Sequence, residues 1–167
     1  YPFGVSMSAN GQYVAVSGLS TTAAGNRNAR VVASSDYGSS FSGVYADPTG
    51  YELYGAPSAK VAVSGNGQYI TAVFAYNVTP GFPNNIRPWS FRIYSSNYGA
   101  TWTKSGGSEF AGFADIAIDY TGQNQFITSD WHKPGLFGSV GVKAYVSNNY
   151  GVSWSEKFSN TTAFFAG

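Results

Sequence analysis

Ser95-Ser96-Asn97-Tyr98-Gly99-Ala100-Thr101-Trp102 is the middle copy of a pattern that occurs three times in this chain of 167 residues. Each copy begins with a serine, continues through an aspartate or asparagine and a Tyr-Gly pair, and ends on an aromatic residue. The other two copies are Ser34-Ser35-Asp36-Tyr37-Gly38-Ser39-Ser40-Phe41 and Ser147-Asn148-Asn149-Tyr150-Gly151-Val152-Ser153-Trp154.

A second repeated element precedes each copy. Gly11 and Gly67 of this element are 56 residues apart, and Gly67 and Gly122 are 55 residues apart. A fixed period of this size is typical of a repeat architecture. It predicts one repeat domain over residues 1–167, with repeats at approximately 1–56, 57–111 and 112–167. The element reads Ser8-Ala9-Asn10-Gly11-Gln12-Tyr13, then Ser64-Gly65-Asn66-Gly67-Gln68-Tyr69, then more loosely Asp119-Tyr120-Thr121-Gly122 continuing to Phe126.

The middle repeat predicts four antiparallel strands, because short apolar runs alternate with turn residues. The predicted strands are 61–64, 69–76, 91–95 and 101–104. Asn66-Gly67 predicts a two-residue hairpin turn with positive φ at both residues, and the prolines and glycine within 77–89 predict a loop. Four antiparallel strands in about 55 residues are typical of one propeller blade. The predicted fold is therefore all-β and β-propeller-like, with three four-stranded antiparallel blades that form part of a larger or oligomeric propeller or array.

The eight-residue pattern is interpreted as a self-holding turn. An Asp or Asn side chain can accept hydrogen bonds from backbone N–H groups a few residues further on. The glycine then takes positive φ, and the aromatic residue fills the gap beneath the turn. Because two of the three copies carry Asn, the pattern does not require negative charge, which argues against a metal-binding or catalytic role. The residues assigned to these turns are Asp36, Gly38, Phe41, Asn97, Gly99, Trp102, Asn149, Gly151 and Trp154.

On these residues, the pattern resembles the Asp-box, or bacterial neuraminidase repeat, of Asp-box β-propellers. That group includes sialidases, sortilin-type receptors, xyloglucan-hydrolysing enzymes and a photosystem assembly factor. The resemblance covers most of the chain and implies the blade. It does not imply one activity, since the same blade serves enzymes, receptors and scaffolds.

Composition restricts the possible partners. Charged residues make up 10% of the chain and its formal net charge is +1, so no basic surface for nucleic acid is expected. There is no cysteine, which excludes disulfides, thiolate metal sites and a catalytic cysteine. No apolar stretch is long enough to insert into a membrane, and no cofactor or metal is expected. The chain begins at Tyr1, which predicts a processed chain or a segment of a longer one. Low charge with many Ser, Thr and Tyr residues favours an extracellular or virion-surface location.

The residues give little support to the hypothesis that this chain is an enzyme. Sialidases, by the resemblance, carry a Phe/Tyr-Arg-Ile-Pro motif, and 91–94 approaches it as Phe-Arg-Ile-Tyr but lacks the proline. Asp115 and Asp119 are the nearest approach to the carboxylate pair of a glycoside hydrolase, and Asp119 aligns with turn residues of the other repeats. His132 has no partner spacing that indicates a catalytic triad. No catalytic residue is assigned.

Recognition is expected at the end of the blades that varies between repeats. This end carries the loops near 18–29, 76–89 and 129–141 and the connections near 42–59, 103–114 and 155–167, and repeat proteins place binding residues on such a face. Some aromatic residues at this end could instead pack between blades. For Trp89 and Trp131, packing between blades and binding are equal alternatives. The binding residues predicted are Arg87, Trp89, Trp131, His132, Tyr51 and Tyr54, with Arg27, Arg30 and Tyr76 as further contact candidates.

The sequence thus favours a non-enzymatic structural or recognition module. Three blades are fewer than a closed propeller uses, and the chain begins and ends at the same point of the cycle. We therefore expect self-association into an oligomer or fibre, or else flanking blades. A glycan or protein ligand is a further possible partner. The alternatives are a fragment of a carbohydrate-active enzyme and a receptor-type module that binds a protein.

Overall fold

The computed structural model describes residues 2–21, 27–46, 54–78, 87–109, 111–132 and 139–160. These residues form β-strands joined by turns, and the described part contains no helix. The strands in chain order are β1 Pro2–Met7, β2 Val14–Thr21, β3 Arg27–Ser34, β4 Gly43–Ala46, β5 Tyr54–Val63, β6 Ile70–Val78, β7 Arg87–Ser95, β8 Thr103–Glu109, β9 Ala111–Ile118, β10 Gln125–His132, β11 Ser139–Ser147 and β12 Ser155–Asn160.

The strands form three four-stranded sheets, and each sheet consists of four consecutive strands. Neighbouring strands are antiparallel in all three sheets. The predicted all-β class with three four-stranded antiparallel sheets is therefore confirmed, and within the described residues no sheet closes on itself. We call the sheets blade 1 (β1–β4), blade 2 (β5–β8) and blade 3 (β9–β12).

The blades pack face to face in chain order, as neighbouring blades of a propeller do. β1 and β2 of blade 1 contact β5, and β5, β6 and β7 of blade 2 contact β9. The first strands of successive blades therefore lie side by side. We call the face that a blade turns toward the next blade in chain order its leading face, and the opposite face its trailing face.

Blade 2 is covered on both faces and holds the most deeply buried side chains. Its leading-face residues Ala62 and Val73 pack with Phe113, Ile116 and Ile127 of blade 3. A strand buried on both faces needs apolar residues at successive positions rather than alternating ones, and β6 has them. Its trailing face packs against blade 1 in a cluster of Ala15, Ala29, Val31, Ala33, Ala59, Val61, Val63, Ile70, Ala72, Phe74, Phe91 and Ile93.

The strands are longer than the sequence predicted. β6 extends to Val78 and β7 begins at Arg87, so both ends of the predicted 77–89 loop lie in strands. Asn77 pairs with Pro88 in this extension, while the pairing of β7 with β8 stops at Trp89. A proline is tolerated at such a strand end because few ladder hydrogen bonds are lost there. Similarly, the predicted connections near 42–59, 103–114 and 155–167 contain β4, β8 and β12.

The turn between the first and second strands of blade 2 is not the predicted two-residue hairpin. Gly67 has a φ of 82°, but Asn66 does not have positive φ. The side chain of Asn66 instead holds the turn, since its Oδ1 accepts hydrogen bonds from Ser64 Oγ at 2.7 Å and from the Gln68 N–H at 3.0 Å. These hydrogen bonds stabilise the turn without the second positive-φ residue that a type I′ turn requires.

Candidate functional site

The predicted recognition residues lie at strand ends rather than in loops. Arg87 and Trp89 lie in the first three residues of β7, Trp131 and His132 end β10, and Tyr54 begins β5. β7 and β10 belong to neighbouring blades, and the antiparallel topology brings these positions to the same, variable end. The side chains of these residues, and Tyr51 as a whole, lie outside the described part. Their role in recognition therefore stays a prediction.

At the opposite end of the blades, the three eight-residue turns share one hydrogen-bond pattern. In the middle turn, Asn97 Oδ1 accepts from Ser95 Oγ at 3.0 Å and from the Thr101 N–H at 2.9 Å. Asp36 and Asn149 accept hydrogen bonds from the equivalent groups. The first serine of each turn accepts the N–H of the turn glycine, at 2.9 Å in the middle copy. Asp and Asn thus play the same part, as hydrogen-bond acceptors inside the turn.

Backbone conformation in these turns is also shared. Tyr37, Tyr98 and Tyr150 have φ near 60°, and the glycine after each also has positive φ. Two successive left-handed residues are costly unless the surroundings fix them. The hydrogen bonds of the serine and of the Asp or Asn side chain provide that fixing.

Asp36 differs from its Asn equivalents in carrying charge. Ser40 Oγ donates to one of its carboxylate oxygens at 2.6 Å, and Ser34 Oγ and the Ser40 N–H donate to the other. These hydrogen bonds, with that of the Ser40 hydroxyl as the largest contribution, lower the pKa of Asp36 to about 2.

Tyrosines of the turns join neighbouring blades. Tyr13 of blade 1 stacks on Tyr98 of blade 2, and Tyr69 of blade 2 stacks on Tyr150 of blade 3, each with ring centroids 4.5 Å apart. Each tyrosine also lies against a turn glycine of the next blade, because a Cβ added at Gly67 would overlap the Tyr13 ring. At Gly122 an added Cβ would overlap Tyr69 in the same way. The sequence signal for these contacts is a tyrosine at the same two positions in successive repeats.

In blades 2 and 3, the aromatic residue that ends the turn packs at the interface with the preceding blade. Trp102 contacts the cluster between blades 1 and 2, and Trp154 contacts the cluster between blades 2 and 3. Phe41 of blade 1 is 43% exposed. That the aromatic residue fills a gap beneath its own turn stays a prediction; in blades 2 and 3 the preceding blade adds further cover.

Arg92, in the stretch that approaches the sialidase motif, serves the interface between blades 2 and 3. Its guanidinium lies over the rings of Phe113 at 5.5 Å and Trp154 at 5.4 Å. Burial lowers its pKa, and Tyr145 acts in the opposite direction. Stacking between two aromatic faces stabilises a partly desolvated guanidinium. The guanidinium of Arg92 therefore packs between aromatic rings at the interface.

The two aspartates considered as a catalytic pair have separate surroundings. Asp119 lies in the first turn of blade 3 and accepts hydrogen bonds from the Gly122 N–H at 2.7 Å and Asn124 Nδ2 at 2.7 Å. Desolvation raises its pKa, but the hydrogen bonds of Asn124, Thr121 and Gly122 together outweigh it, so the pKa lies below its ordinary value. Asp115 lies on β9 and accepts a hydrogen bond from the Ile116 N–H at 2.9 Å. Among the described residues, no group of three or more His, Cys, Asp or Glu side chains is placed to hold a metal ion.

The two outer faces of the three-blade unit expose large apolar side chains. On the trailing face of blade 1, one register row contains valine in all four strands, and two of these valines, Val5 and Val44, are 70% and 47% exposed. At the equivalent positions of blade 2, Val61, Ala72 and Ile93 are buried, whereas Lys104, at the position of Val44, is exposed. The row on blade 1 consists of Val5, Val16, Val32 and Val44.

The leading face of blade 3 is the other outer face. Phe126, Val142 and Phe158 are 43%, 40% and 53% exposed there. The residues of these two surfaces were not predicted individually from the sequence. The available signal was the absence of alternation: Val14-Ala15-Val16 and Val31-Val32-Ala33 place apolar side chains on both faces of outer-blade strands, as a strand between two neighbours requires.

Comparison with known proteins gives a weak structural likeness. No protein-family model matches the chain, and no curated protein matches it. Among solved structures, the chain is similar to a GH74 enzyme from Niastella koreensis, with 17% sequence identity and a TM-score of 0.39. The match covers 92% of this chain and 24% of that one, so this chain spans about a quarter of the length of the enzyme. The described part of this chain contains no helix that is long and apolar enough to cross a membrane.

Proposed function

We propose that this chain is a non-enzymatic segment of an Asp-box blade array, with a structural or recognition role outside a cell or on a virion surface. The observation that carries the proposal is the pair of apolar outer faces. Val5, Val16 and Val32 occupy positions at which the middle blade buries Val61, Ala72 and Ile93. Contiguous exposed apolar surface marks an interaction site, and repeat arrays bury such faces against further repeats.

The groups first considered for chemistry support a structural role as well. Asp36 accepts hydrogen bonds within its turn, Asp119 caps the first turn of blade 3, and Arg92 stacks between two aromatic rings. Each of these polar side chains thus already has a part in building the blades. On this proposal, the residues at the turn end of the blades have a structural role. Any glycan or protein ligand binds at the opposite end.

Self-association is the first property to test. Sedimentation velocity of the purified chain, from about 1 to 200 µM, is expected to show larger species as concentration rises, since burial of apolar surface drives association. The intact mass of the natural protein is measured in parallel. A natural mass of 17.7 kDa together with a monomer at every concentration would contradict the proposal.

Recognition and catalysis are tested separately. A glycan array identifies a ligand, and hydrolysis of each bound glycan is then assayed. Hydrolysis that survives repurification would overturn the non-enzymatic assignment. If a ligand binds, Trp89→Ala and Trp131→Ala are each expected to weaken binding while circular dichroism stays that of the wild type. Full binding by both folded variants would remove these residues from the site, and unfolding of both would identify them as inter-blade packing residues.

A further inference from the structure

The two interfaces inside the chain use equivalent positions. Between blades 1 and 2, the Val63 N–H donates to Ser6 Oγ at 3.0 Å, and Ile70 packs in a cluster with Ala15. Between blades 2 and 3, Thr71 Oγ1, at the position equivalent to Ala15, donates to Gln125 Oε1 at 2.8 Å. The end of the first strand and the start of the second strand of one blade therefore meet their counterparts on the blade before it.

Both halves of a third such interface are present on the outer faces. Met7 and Val14 occupy the positions of Val63 and Ile70 on the trailing face of blade 1, and Met7 is 63% exposed. On the leading face of blade 3, Ala117 and Phe126 occupy the positions of Ser6 and Ala15. These two residues line an open depression of about 360 Å³ together with Ile118, Asp119, Asn124, Gln125 and Val146.

The turn tyrosines show the same incompleteness. Tyr98 and Tyr150, which stack on a tyrosine of the preceding blade, are 42% and 36% exposed, whereas Tyr37 of blade 1 is 68% exposed. In blade 3, Asn124 occupies the position from which Tyr13 and Tyr69 make these contacts. Blade 3 of another copy, placed before blade 1, would cover Tyr37 with Asn124 instead of a tyrosine.

Charge is complementary between the same two faces. Ser17 Oγ donates to the Ala59 carbonyl at 3.1 Å, which shows that the row of Ser17 faces the row of Ala59 across the interface of blades 1 and 2. The row equivalent to that of Ser17 in blade 3 contains Asp115, and the row equivalent to that of Ala59 in blade 1 contains Arg30. Both are exposed. Joining the faces places these opposite charges in facing rows, with Asp115 on the first strand of its blade and Arg30 on the third strand of its blade.

Resting on the proposed function, we propose that the occupant of these faces is a second copy of this chain, joined head to tail. The leading face of blade 3 of one copy binds the trailing face of blade 1 of the next, with Met7 and Val14 seated in the depression beside Ala117 and Phe126. The contact is heterologous, because the two surfaces are different parts of the chain. Two copies that close give six blades, and copies that do not close give a fibre.

The experiment blocks one face at a time and then mixes the two blocked chains. Val5→Asp places a charge on the trailing face and Phe126→Asp places one on the leading face, at side chains that are 70% and 43% exposed. Phe158→Asp is a second leading-face variant in case Phe126→Asp does not fold. Val152→Asp is the matched control, since Val152 is 56% exposed in a turn away from both faces. Folding is checked by circular dichroism and association by sedimentation velocity.

Head-to-tail joining has a distinct signature. Each blocked variant alone is expected to be a monomer at concentrations where the wild type and Val152→Asp associate. An equimolar mixture of a trailing-blocked and a leading-blocked chain is expected to form a one-to-one complex, because one intact face of each kind remains. A leading-blocked chain that still dimerises alone, or a mixture that stays monomeric while the wild type associates, would overturn the head-to-tail joining but not self-association. A wild type that does not associate at all contradicts the self-association in the proposed function.

Discussion

At the residue scale, the turn that defines the repeat depends on hydrogen-bond acceptance rather than charge. Asn97 Oδ1 accepts from Ser95 Oγ and the Thr101 N–H, and its Nδ2 donates to Thr101 Oγ1 at 2.9 Å. In the first turn the corresponding hydroxyl of Ser40 donates to Asp36 instead. A hydroxyl that can either donate or accept permits both residue types at this position.

Asn97→Asp is therefore expected to change the free energy of unfolding by less than about 0.5 kcal/mol. Asn97→Ala leaves the serine hydroxyl and the Thr101 N–H without their acceptor and is expected to cost about 1–3 kcal/mol. Urea unfolding of both variants measures the difference. If both variants lost the same large amount of unfolding free energy, the turn would require the amide group of Asn97 and not only an acceptor oxygen.

Acid titration distinguishes the first turn from the other two. The pKa of Asp36 is lowered from 3.8 to about 2 in the folded chain, chiefly by the Ser40 hydroxyl. A depressed carboxyl pKa contributes stability above the unfolded value, and that contribution disappears as the pH falls from about 4 through about 2. We expect the Asp36 carboxyl carbon to titrate near 2 by NMR, and Asp36→Asn to remove this acid-linked loss. A midpoint near 4 would show that the carboxylate is not held by these hydrogen bonds.

The close approach of blade 1 leaves less space for a side chain at Gly67 than at the equivalent Gly11. Gly67 and Gly11 both have positive φ, at 82° and 74°. A Cβ at Gly67 would overlap the Tyr13 ring, whereas at Gly11 the nearest atom within 4 Å is Met7 Sδ at 4.0 Å. Each Gly→Ala change costs about 1–2 kcal/mol for the left-handed backbone, and Gly67→Ala adds about 1–3 kcal/mol of overpacking. Thermal melts of the two variants in dilute solution give the comparison, and equal shifts in Tm would argue that Tyr13 does not pack on Gly67.

At the element scale, the sequence was sufficient for the number of blades and for the turns, because both are properties of short repeated stretches. The period places Gly11, Gly67 and Gly122 correctly at the first turns. Strand length was underestimated, since Pro88 is typical of a loop although the backbone of 87–89 pairs with 76–78. Inter-blade contacts such as Arg92 on Phe113 and Trp154 were not predictable, because they join residues far apart in the chain.

The turn tryptophans and Phe41 provide an element-scale test of blade packing. Trp102→Ala and Trp154→Ala are each expected to cost about 3 kcal/mol, the lower end of the range for buried aromatic residues, because both side chains are partly buried. Phe41→Ala, at the equivalent but 43% exposed position, is expected to cost only about 1 kcal/mol in the monomer. Chemical denaturation at low protein concentration measures all three. A loss at Phe41 as large as that at Trp102 would mean that the aromatic residue acts within its own blade.

At the scale of the whole molecule, the chain is an array whose blades are unequally supported. Among the described strands, those of blade 2 contact both other blades, whereas the main contacts of blades 1 and 3 are with blade 2. In such arrays stability is approximately a sum of repeat and interface contributions. The period identified the repeats but not this inequality, which depends on the faces left at the two ends.

Amide hydrogen exchange should therefore follow the position of a blade in the array. In a dilute monomer, we expect the amides of β6 and β7 to exchange most slowly, because blade 2 opens only when two interfaces break. The amides of β4 and β12, at the outer edges of blades 1 and 3, are expected to exchange fastest. As the concentration rises and copies join, β2 and β10 should slow while β6 changes little, because only the outer faces gain a neighbour. Uniform protection across the three blades in the dilute monomer would show that the array unfolds as one unit and that the outer faces carry no local instability.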